Sequence, residues 1–206
     1  MRTLVLLSLA LLAISNTAIA AEKGDMLLRV GPYGVSPKSN NHPALEVDDG
    51  ASLGFNFTYF VSEKLAIEVL AALPFSHDIK DKESSTKLAE AKHLPPTVSL
   101  QYHFNTDSAF SPYAGLGVNI TTFTDVKETS ALEGSEVDLE TSAGLAAQLG
   151  VDISLNEDWV VNLDLRYIDI ETDANVFTPG DPLGSGPIND IEISPFVYGL
   201  TIGRRF

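Results

Sequence analysis

Eight stretches of this 206-residue chain alternate apolar and polar residues, and this alternation is the feature that most limits what the chain can fold into. Side chains of a β-strand point by turns to its two faces, so each stretch predicts a strand with one apolar and one polar face. In the second stretch, for example, Leu53, Phe55 and Phe57 alternate with Gly54 and Asn56. The eight stretches are residues 26–35, 52–61, 65–75, 97–104, 113–121, 144–153, 159–167 and 191–206.

The connections between these stretches are short and long by turns. The short connections are residues 62–64, 105–109 and 156–158. The long connections are polar and acidic, and they are residues 36–50, 76–92, 125–140 and 173–190. A stretch of roughly ten residues is long enough for a tilted strand to cross the hydrocarbon core of a membrane. The pattern therefore predicts an all-β fold, an eight-stranded antiparallel transmembrane β-barrel with short periplasmic turns and long extracellular loops.

Alternation alone does not decide which face of the strands points outward. A soluble ligand-binding barrel would place the apolar face inside. Two features favour a membrane barrel: the polar face is rich in Gly and Ala, which suits a narrow interior, and the apolar face carries aromatic residues near strand ends, as interfacial girdles do. These aromatic residues are Tyr59, Phe75, Tyr102, Phe104, Trp159, Tyr167 and Phe196.

The N-terminal segment has the pattern of a signal peptide. Arg2 gives it a positive start, residues 4–14 form an apolar run, and Ala18 and Ala20 supply a small-x-small cleavage site. We therefore predict a signal peptide at residues 1–20 and an exported outer-membrane β-barrel at residues 21–206.

Composition and histidine spacing exclude several functions. The chain has no Cys, which excludes disulfides and thiolate metal sites, and its net charge of -15 argues against nucleic-acid binding. No metal-ligand spacing links the four histidines, which are His42, His77, His93 and His103. Ser99 and His103 share the inward face of one strand but lie about 13 Å apart, too far for a catalytic pair. The sequence predicts no enzyme, no cofactor and no metal.

The long connections leave two questions open. His77 and His93 flank one of them and could meet there, most simply through a hydrogen bond that orders the loop. The acidic loops form either a solvated surface or a site for divalent cations that bridge lipopolysaccharide phosphates.

The fourth strand begins with two prolines, in the sequence HLPPTVSLQYHF at residues 93–104. Proline has no N–H group to donate to a neighbouring strand, and Pro74 should lie across from Pro95 and Pro96. An unpaired backbone group in hydrocarbon costs several kcal/mol, so this wall should contain a gap rather than a full ladder. We predict a lateral gate formed by Pro74, Leu94, Pro95 and Pro96, through which a small apolar solute leaves the barrel.

Five motifs resemble the outer membrane protein W (OmpW) family, and the likeness covers nearly all of the mature chain. They are EVLAALPFSHDI, HLPPTVSLQYHF, PYAGLGVNITTF, QLGVDISLNEDWVVNLDLRYIDI and the terminal GRRF. The resemblance implies a Gram-negative outer-membrane barrel with an apolar lumen, in a family that includes importers of alkanes and other small hydrophobic compounds. Phe206 resembles the signal read by the barrel-assembly machinery. Two arginines depart from the family pattern, Arg166 on an inward position and Arg204 on the terminal strand.

Two functions follow as alternatives. In the first, small hydrophobic solutes rest against inward apolar residues of the lumen and exit through the gate; these residues are Phe60, Leu70, Ile168 and Ile170. In the second, the barrel is a passive structural protein or surface receptor with a plugged lumen. The expected partners are outer-membrane lipid and lipopolysaccharide, the barrel-assembly machinery and, for the first function, the hydrophobic solutes.

Overall fold

A computed structural model describes residues 21–38, 42–104, 108–129, 134–178 and 186–206. The predicted signal peptide, with Ala18 and Ala20 at its cleavage site, lies outside these ranges and stays a prediction. Residues 105–107 of the predicted short turn at 105–109 also lie outside these ranges.

The described residues form strands and the segments that connect them. The strands are β1 (Met26–Ser36), β2 (Leu45–Val47), β3 (Gly50–Phe60), β4 (Leu65–Ala72), β5 (Phe75–Asp81), β6 (Lys87–Leu94), β7 (Thr97–His103), β8 (Phe110–Glu128), β9 (Glu136–Leu139), β10 (Ser142–Ser154), β11 (Trp159–Ile168), β12 (Glu171–Phe177), β13 (Gly186–Glu192) and β14 (Phe196–Arg205). No helix in these ranges is long and apolar enough to cross a membrane.

Eight of the strands form a closed antiparallel barrel in the order β1, β3, β4, β7, β8, β10, β11 and β14, and β14 pairs with β1 to close it. The predicted eight-stranded barrel is therefore confirmed. The end with the short connections, such as residues 61–64 between β3 and β4, is called the turn end. The opposite end, where the long connections lie, is called the loop end.

The long connections, predicted only as polar loops, contain six further strands. β8 continues past the loop end and pairs there with β6. β6 pairs with β5, and β5 pairs with β2; these strands form the first outer sheet. β9, β12 and β13 form the second outer sheet. The sequence predicts loops here because the strands are short and their outer faces are charged. Their inner faces carry the apolar residues that hold the two sheets over the barrel.

The two faces of the barrel strands divide as the alternation predicts. Apolar residues such as Phe55, Leu100 and Leu163 are exposed on the outside, and polar residues such as Gln101 and Asn162 are buried inside. An exposed apolar outer face of this kind is what contact with lipid requires.

One predicted girdle aromatic is wrong. Phe75 is only 2% exposed and points inward. Both Leu73 and Pro74 are exposed, so the alternation slips by one residue at the proline. The register across this wall slips with it: Leu70 lies opposite Thr97, whereas Phe75 lies opposite His93.

Candidate functional site inside the barrel and at its loop end

Charged side chains from opposite walls meet in the middle of the barrel, beginning with Arg29. Its side chain is completely buried, its Nη2 lies 2.6 Å from Asp152 Oδ2, and its Nε donates to Asp152 Oδ1 at 3.1 Å. Its Nη1 donates to Thr58 Oγ1 at 2.9 Å. This two-pronged pair ties β1 to β10 across the lumen, and bidentate geometry of this kind is the strongest form of ion pair.

Glu68 joins this pair to a second one. Its Oε2 lies 3.4 Å from Arg29 Nη1 and accepts a hydrogen bond from Gln101 Nε2 at 2.9 Å. Its Oε1 lies 2.6 Å from Arg166 Nη2, and Arg166 Nε lies 2.5 Å from Asp164 Oδ1. A buried charge is tolerable only when it is paired and hydrogen-bonded, and here each charge is. We call Arg29, Glu68, Asp152, Asp164 and Arg166 the ion-pair block.

The ion-pair block explains Arg166, which departs from the family pattern. Its guanidinium contacts two carboxylates and has no contact with solvent. The implied apolar lumen is therefore wrong at this level of the barrel, where five charged residues cross the interior. An apolar solute would have to displace paired charges to pass this level, which is costly.

The predicted lumen residues lie on both sides of the ion-pair block. Leu70, Ile168 and Ile170 are buried together toward the loop end, whereas Phe60 packs with Ala21 and Ala66 at the turn end. Phe60 is therefore apart from the other three, because it is the last residue of β3. The group toward the loop end, called the upper cluster, comprises Tyr33, Val35, Leu70, Phe75, Ala146, Ile168, Ile170, Ala174, Ile191, Ile193 and Val197.

The predicted gate residues lie beside the upper cluster, at a break between β4 and β7. The ladder between these strands ends at the pair Leu70–Thr97 and pairing resumes one residue out of register at Phe75–His93. Residues 71–74 and 94–96, called the seam, lie between the two pairs. Leu73 N donates to Leu53 O of β3 at 2.9 Å, so Leu73 pairs away from the seam.

The two prolines of the fourth predicted strand face different neighbours. The Pro96 carbonyl accepts hydrogen bonds from Ile120 N of β8 and from Asn119 Nδ2, each at 3.1 Å. N–H and C=O of one strand residue point the same way, so the missing N–H of Pro96 is lost to β8. Pro95 points to the seam, where its carbonyl accepts the Thr97 hydroxyl at 3.1 Å. The register extended from Leu70–Thr97 places Pro95 opposite Ala72.

A stack of three rings stands above the seam. Phe75 stacks on His93 with ring centroids 5.4 Å apart, and His93 stacks on His77 at 4.9 Å. The two histidines therefore meet, as the sequence suggested, but through their faces and not through a hydrogen bond. Burial lowers the pKa of His93 to about 3, and burial also lowers the pKa of His77. Both rings are therefore neutral at physiological pH.

The two histidines line a cavity of about 80 Å³ between the outer sheets, called the outer cavity. Leu45 and Phe123 of the first sheet and Leu139 and Ile188 of the second also line it. These residues are partly buried against the upper cluster, so apolar contacts continue from the outer cavity to the seam.

The chain ends at the turn end with its last side chain on the outside. Phe206 is exposed, while its backbone N donates to Met26 O at 2.8 Å and its carbonyl accepts from Met26 N at 3.0 Å. The Arg204 guanidinium carbon lies 5.2 Å from the centre of the Phe206 ring. The second departure from the family pattern therefore covers the terminal aromatic residue.

The ion-pair block, apart from Arg166, was not identified from the sequence as a site. Its signal was present, because Glu68 lies four residues after Lys64 and Asp152 four residues before Asn156. Inward charges at equal distances from short turns of a barrel lie at one level.

Comparisons with known proteins agree with this architecture. The OmpW family model matches residues 22–206. Outer membrane protein W of Escherichia coli (strain K12) is 35% identical over 221 residues, covering 100% of both chains. Outer membrane protein AlkL of Ectopseudomonas oleovorans is 30% identical, covering 90% of this chain and 76% of AlkL. The crystal structure of OprG from Pseudomonas aeruginosa superposes with a TM-score of 0.82 at 37% identity, covering 91% of this chain and 99% of OprG. The chain therefore belongs to the OmpW family and is an eight-stranded β-barrel of the outer membrane.

Proposed function

We propose that this barrel is a non-enzymatic passage for small hydrophobic molecules, which enter at the loop end and leave sideways into the outer membrane through the seam. One observation carries the proposal. The apolar interior extends from the outer cavity to the seam and stops at the ion-pair block. A molecule that follows apolar contacts therefore meets an unpaired wall before it meets the charges.

Residues of the upper cluster flank the seam on its inner side. Leu70 is the last inward residue of β4 below the seam and Phe75 is the first inward residue above it, and both are buried. A solute at this level contacts apolar side chains on the inside and lipid on the outside. Release into the membrane then needs no desolvation of a polar group.

The hydrogen bonds of the seam favour local opening. Pro95 and Pro74 cannot donate, and the Pro95 carbonyl is satisfied by Thr97 of its own strand. Opening the seam therefore breaks fewer interstrand bonds than opening any fully paired wall. Each interstrand hydrogen bond in hydrocarbon holds a wall closed, because breaking it leaves backbone groups without a partner.

A second candidate is a passive structural barrel or surface receptor, in which the outer sheets matter and the interior does not. The buried side chains that fill the lumen favour it, because eight strands enclose a space only just wide enough for side chains. It predicts that vesicles with the protein take up no more solute than empty ones.

The experiment compares two substitutions one residue apart. Pro95→Val adds an N–H toward Ala72 across the seam, whereas Pro96→Val adds one toward Ile120 of β8 and serves as the matched control. One extra ladder bond is worth about 1 kcal/mol, so Pro95→Val should slow uptake of a small alkane into lipid vesicles about fivefold. Pro96→Val should leave uptake unchanged.

Both variants must insert in equal amounts, which a gel of boiled and unboiled samples verifies. If Pro95→Val takes up the alkane at the wild-type rate, or if both variants lose uptake equally, the seam is not the exit. Uptake by the wild-type protein no faster than in empty vesicles would favour the passive barrel.

A further inference from the structure

Side chains provide hydrogen-bond donors to four backbone carbonyls of the seam. These carbonyls belong to Leu73, Pro74, Pro95 and Pro96 and are called the seam carbonyls. On the β4 side, the Ser52 hydroxyl of β3 donates to Leu73 O at 2.9 Å and lies 3.4 Å from Pro74 O. A carbonyl without a donor in hydrocarbon costs several kcal/mol, so these contacts decide whether an unpaired wall is stable.

On the β7 side the donors form a chain. The Thr97 hydroxyl donates to Pro95 O at 3.1 Å. Asn119 Nδ2 of β8 donates to Pro96 O at 3.1 Å and to Thr97 Oγ1 at 3.0 Å. The Thr121 hydroxyl donates to Asn119 Oδ1 at 2.7 Å, and all three side chains are buried. Side chains of β7 and β8 thus satisfy the carbonyls of both prolines.

Donor and acceptor rules fix the direction of this chain. A carbonyl oxygen only accepts, so the single hydroxyl hydrogen of Thr97 goes to Pro95 O. Thr97 Oγ1 must then accept from Asn119, which places the amide nitrogen there and the amide oxygen toward Thr121. Both amide hydrogens of Asn119 and the hydroxyl hydrogen of Thr97 are therefore used, and neither side chain has a donor left for a solute.

We propose that Ser52, Thr97 and Asn119 are positioning residues of the seam, which hold the seam carbonyls in hydrogen bonds so that these carbonyls are not free acceptors beside the exit. This inference rests on the proposed function, because it names what an exit at the seam selects. A molecule without a hydrogen-bond donor passes satisfied carbonyls at no cost, whereas a hydroxyl group must lose its water there and gains no partner in return. The exit therefore favours hydrocarbons over alcohols of the same size.

Thr97→Val tests the proposal because it removes the hydroxyl and keeps the branched shape, which leaves Pro95 O without its donor. Uptake of heptane and of 1-hexanol, which have the same number of non-hydrogen atoms, is measured in lipid vesicles that contain the full barrel and in empty ones. We expect the ratio of heptane uptake to 1-hexanol uptake to fall about fivefold, the factor for one hydrogen bond. The free carbonyl slows heptane and pairs with the hydroxyl of 1-hexanol, whereas a merely loosened barrel would change both rates alike.

A second variant tests the other side of the seam. Ser52→Ala removes the donor to Leu73 O and should lower the same ratio, so the test remains available where Thr97→Val inserts poorly. Thr97→Ser keeps the hydroxyl and should retain the wild-type ratio. Thr201→Val is the matched control on β14, because the buried Thr201 hydroxyl has no hydrogen-bond partner among the described residues, and it should also retain the ratio.

Solid-state NMR in lipid bilayers provides a readout other than uptake. The carbonyl ¹³C resonance of Pro95 should move upfield in Thr97→Val, because its hydrogen bond is lost, and should stay in place in Thr97→Ser and Thr201→Val. A Pro95 resonance that does not move in Thr97→Val would overturn the proposal.

The two solutes separate this inference from the passage itself. Heptane uptake above the rate of empty vesicles, with the same ratio in the wild-type protein, Thr97→Val and Ser52→Ala, would retain the passage and refute the positioning residues. Heptane uptake by the wild-type protein no faster than in empty vesicles would refute the passage, and with it the selection at the seam, even where the Pro95 resonance moves as expected.

Discussion

The middle of the barrel and its loop end fill the same narrow interior with opposite chemistry. In the middle, five charged residues meet in fixed geometry, and the wall beside them is fully paired, for example at Thr58–Glu68 and Glu68–Ser99. Toward the loop end, apolar side chains fill the lumen and the adjacent wall is broken at the seam. A buried ion pair is stable only with its own partner in place, whereas one apolar group in contact with the lining can be replaced by another at little cost. The comparison supports the proposal that the middle of the barrel is closed and that solutes enter at its loop end.

The largest expected effect comes from removing a cation from the ion-pair block. Arg29→Ala leaves three carboxylates with one guanidinium, and breaking a buried pair in this way costs about 3–5 kcal/mol. The free energy of unfolding can be measured in lipid vesicles by urea titration, with the boiled and unboiled gel positions as the readout. An unchanged unfolding midpoint would show that the block does not stabilise the barrel.

Glu68→Gln is the matched control for this prediction. It leaves one carboxylate for each arginine, Asp152 for Arg29 and Asp164 for Arg166, and it preserves the shape of the side chain. We expect a smaller loss of stability than for Arg29→Ala. A larger loss would mean that Glu68, and not the bidentate pair, holds the block together.

A charge placed in the upper cluster should reduce alkane uptake, whereas a conservative change at the same position should not. Leu70→Asp introduces a carboxylate beside the seam, where Leu70 is 4% exposed, and an unpaired buried charge is strongly unfavourable. We expect alkane uptake to fall more than about tenfold. Leu70→Met conserves volume and should retain uptake. Uptake by Leu70→Asp at the wild-type rate would place the solute path elsewhere.

The barrel and its faces could be predicted from the sequence because period-two alternation is a local property. Leu53, Phe55 and Phe57 need only their neighbours in the chain to be placed on the outside. The break at Pro74 could also be anticipated, because the missing donor is a property of proline itself. Its consequence for Phe75 was not, because an alternation that slips by one residue looks regular in the sequence.

The contacts inside the barrel depend on strands distant in the chain. Arg29 and Asp152 are far apart in sequence and meet only because the barrel closes. The sequence shows Arg166 as an exception but does not show its partners, since the level of each inward residue depends on register. The outer sheets were missed because their short strands gain stability from packing on each other.

The stability of the loop end should depend on pH differently from the stability of the barrel. Burial lowers the pKa of His93 to about 3 and lowers that of His77, against which Asp48, Asp49 and Asp78 act in the opposite direction. A histidine with a lowered pKa stabilises the fold above its unfolded value of about 6.5, and this stability is lost as the pH falls toward the folded value.

We therefore expect amide hydrogen exchange in β5 and β6, corrected for the intrinsic rate, to accelerate about tenfold between pH 7 and pH 5. His93→Phe should reduce this change, while exchange in β11 serves as the internal control. Identical pH dependence in all three strands would show that the histidines do not control the loop end.

The smallest expected effect on the finished barrel comes from deleting Phe206, which acts on the turn end alone. Deletion removes two backbone hydrogen bonds with Met26 and the aromatic ring beneath Arg204, but no side chain of the ion-pair block or the upper cluster. We propose that Phe206 is read by the barrel-assembly machinery, so the amount of inserted protein should fall. The stability of each inserted barrel should change by only about 1–2 kcal/mol, and alkane uptake per barrel should remain at the wild-type rate.

Phe206→Tyr keeps an aromatic terminus and should restore insertion. Full insertion after deletion would show that other strands carry the assembly signal, whereas lost uptake per barrel would show that the two ends of the barrel are coupled.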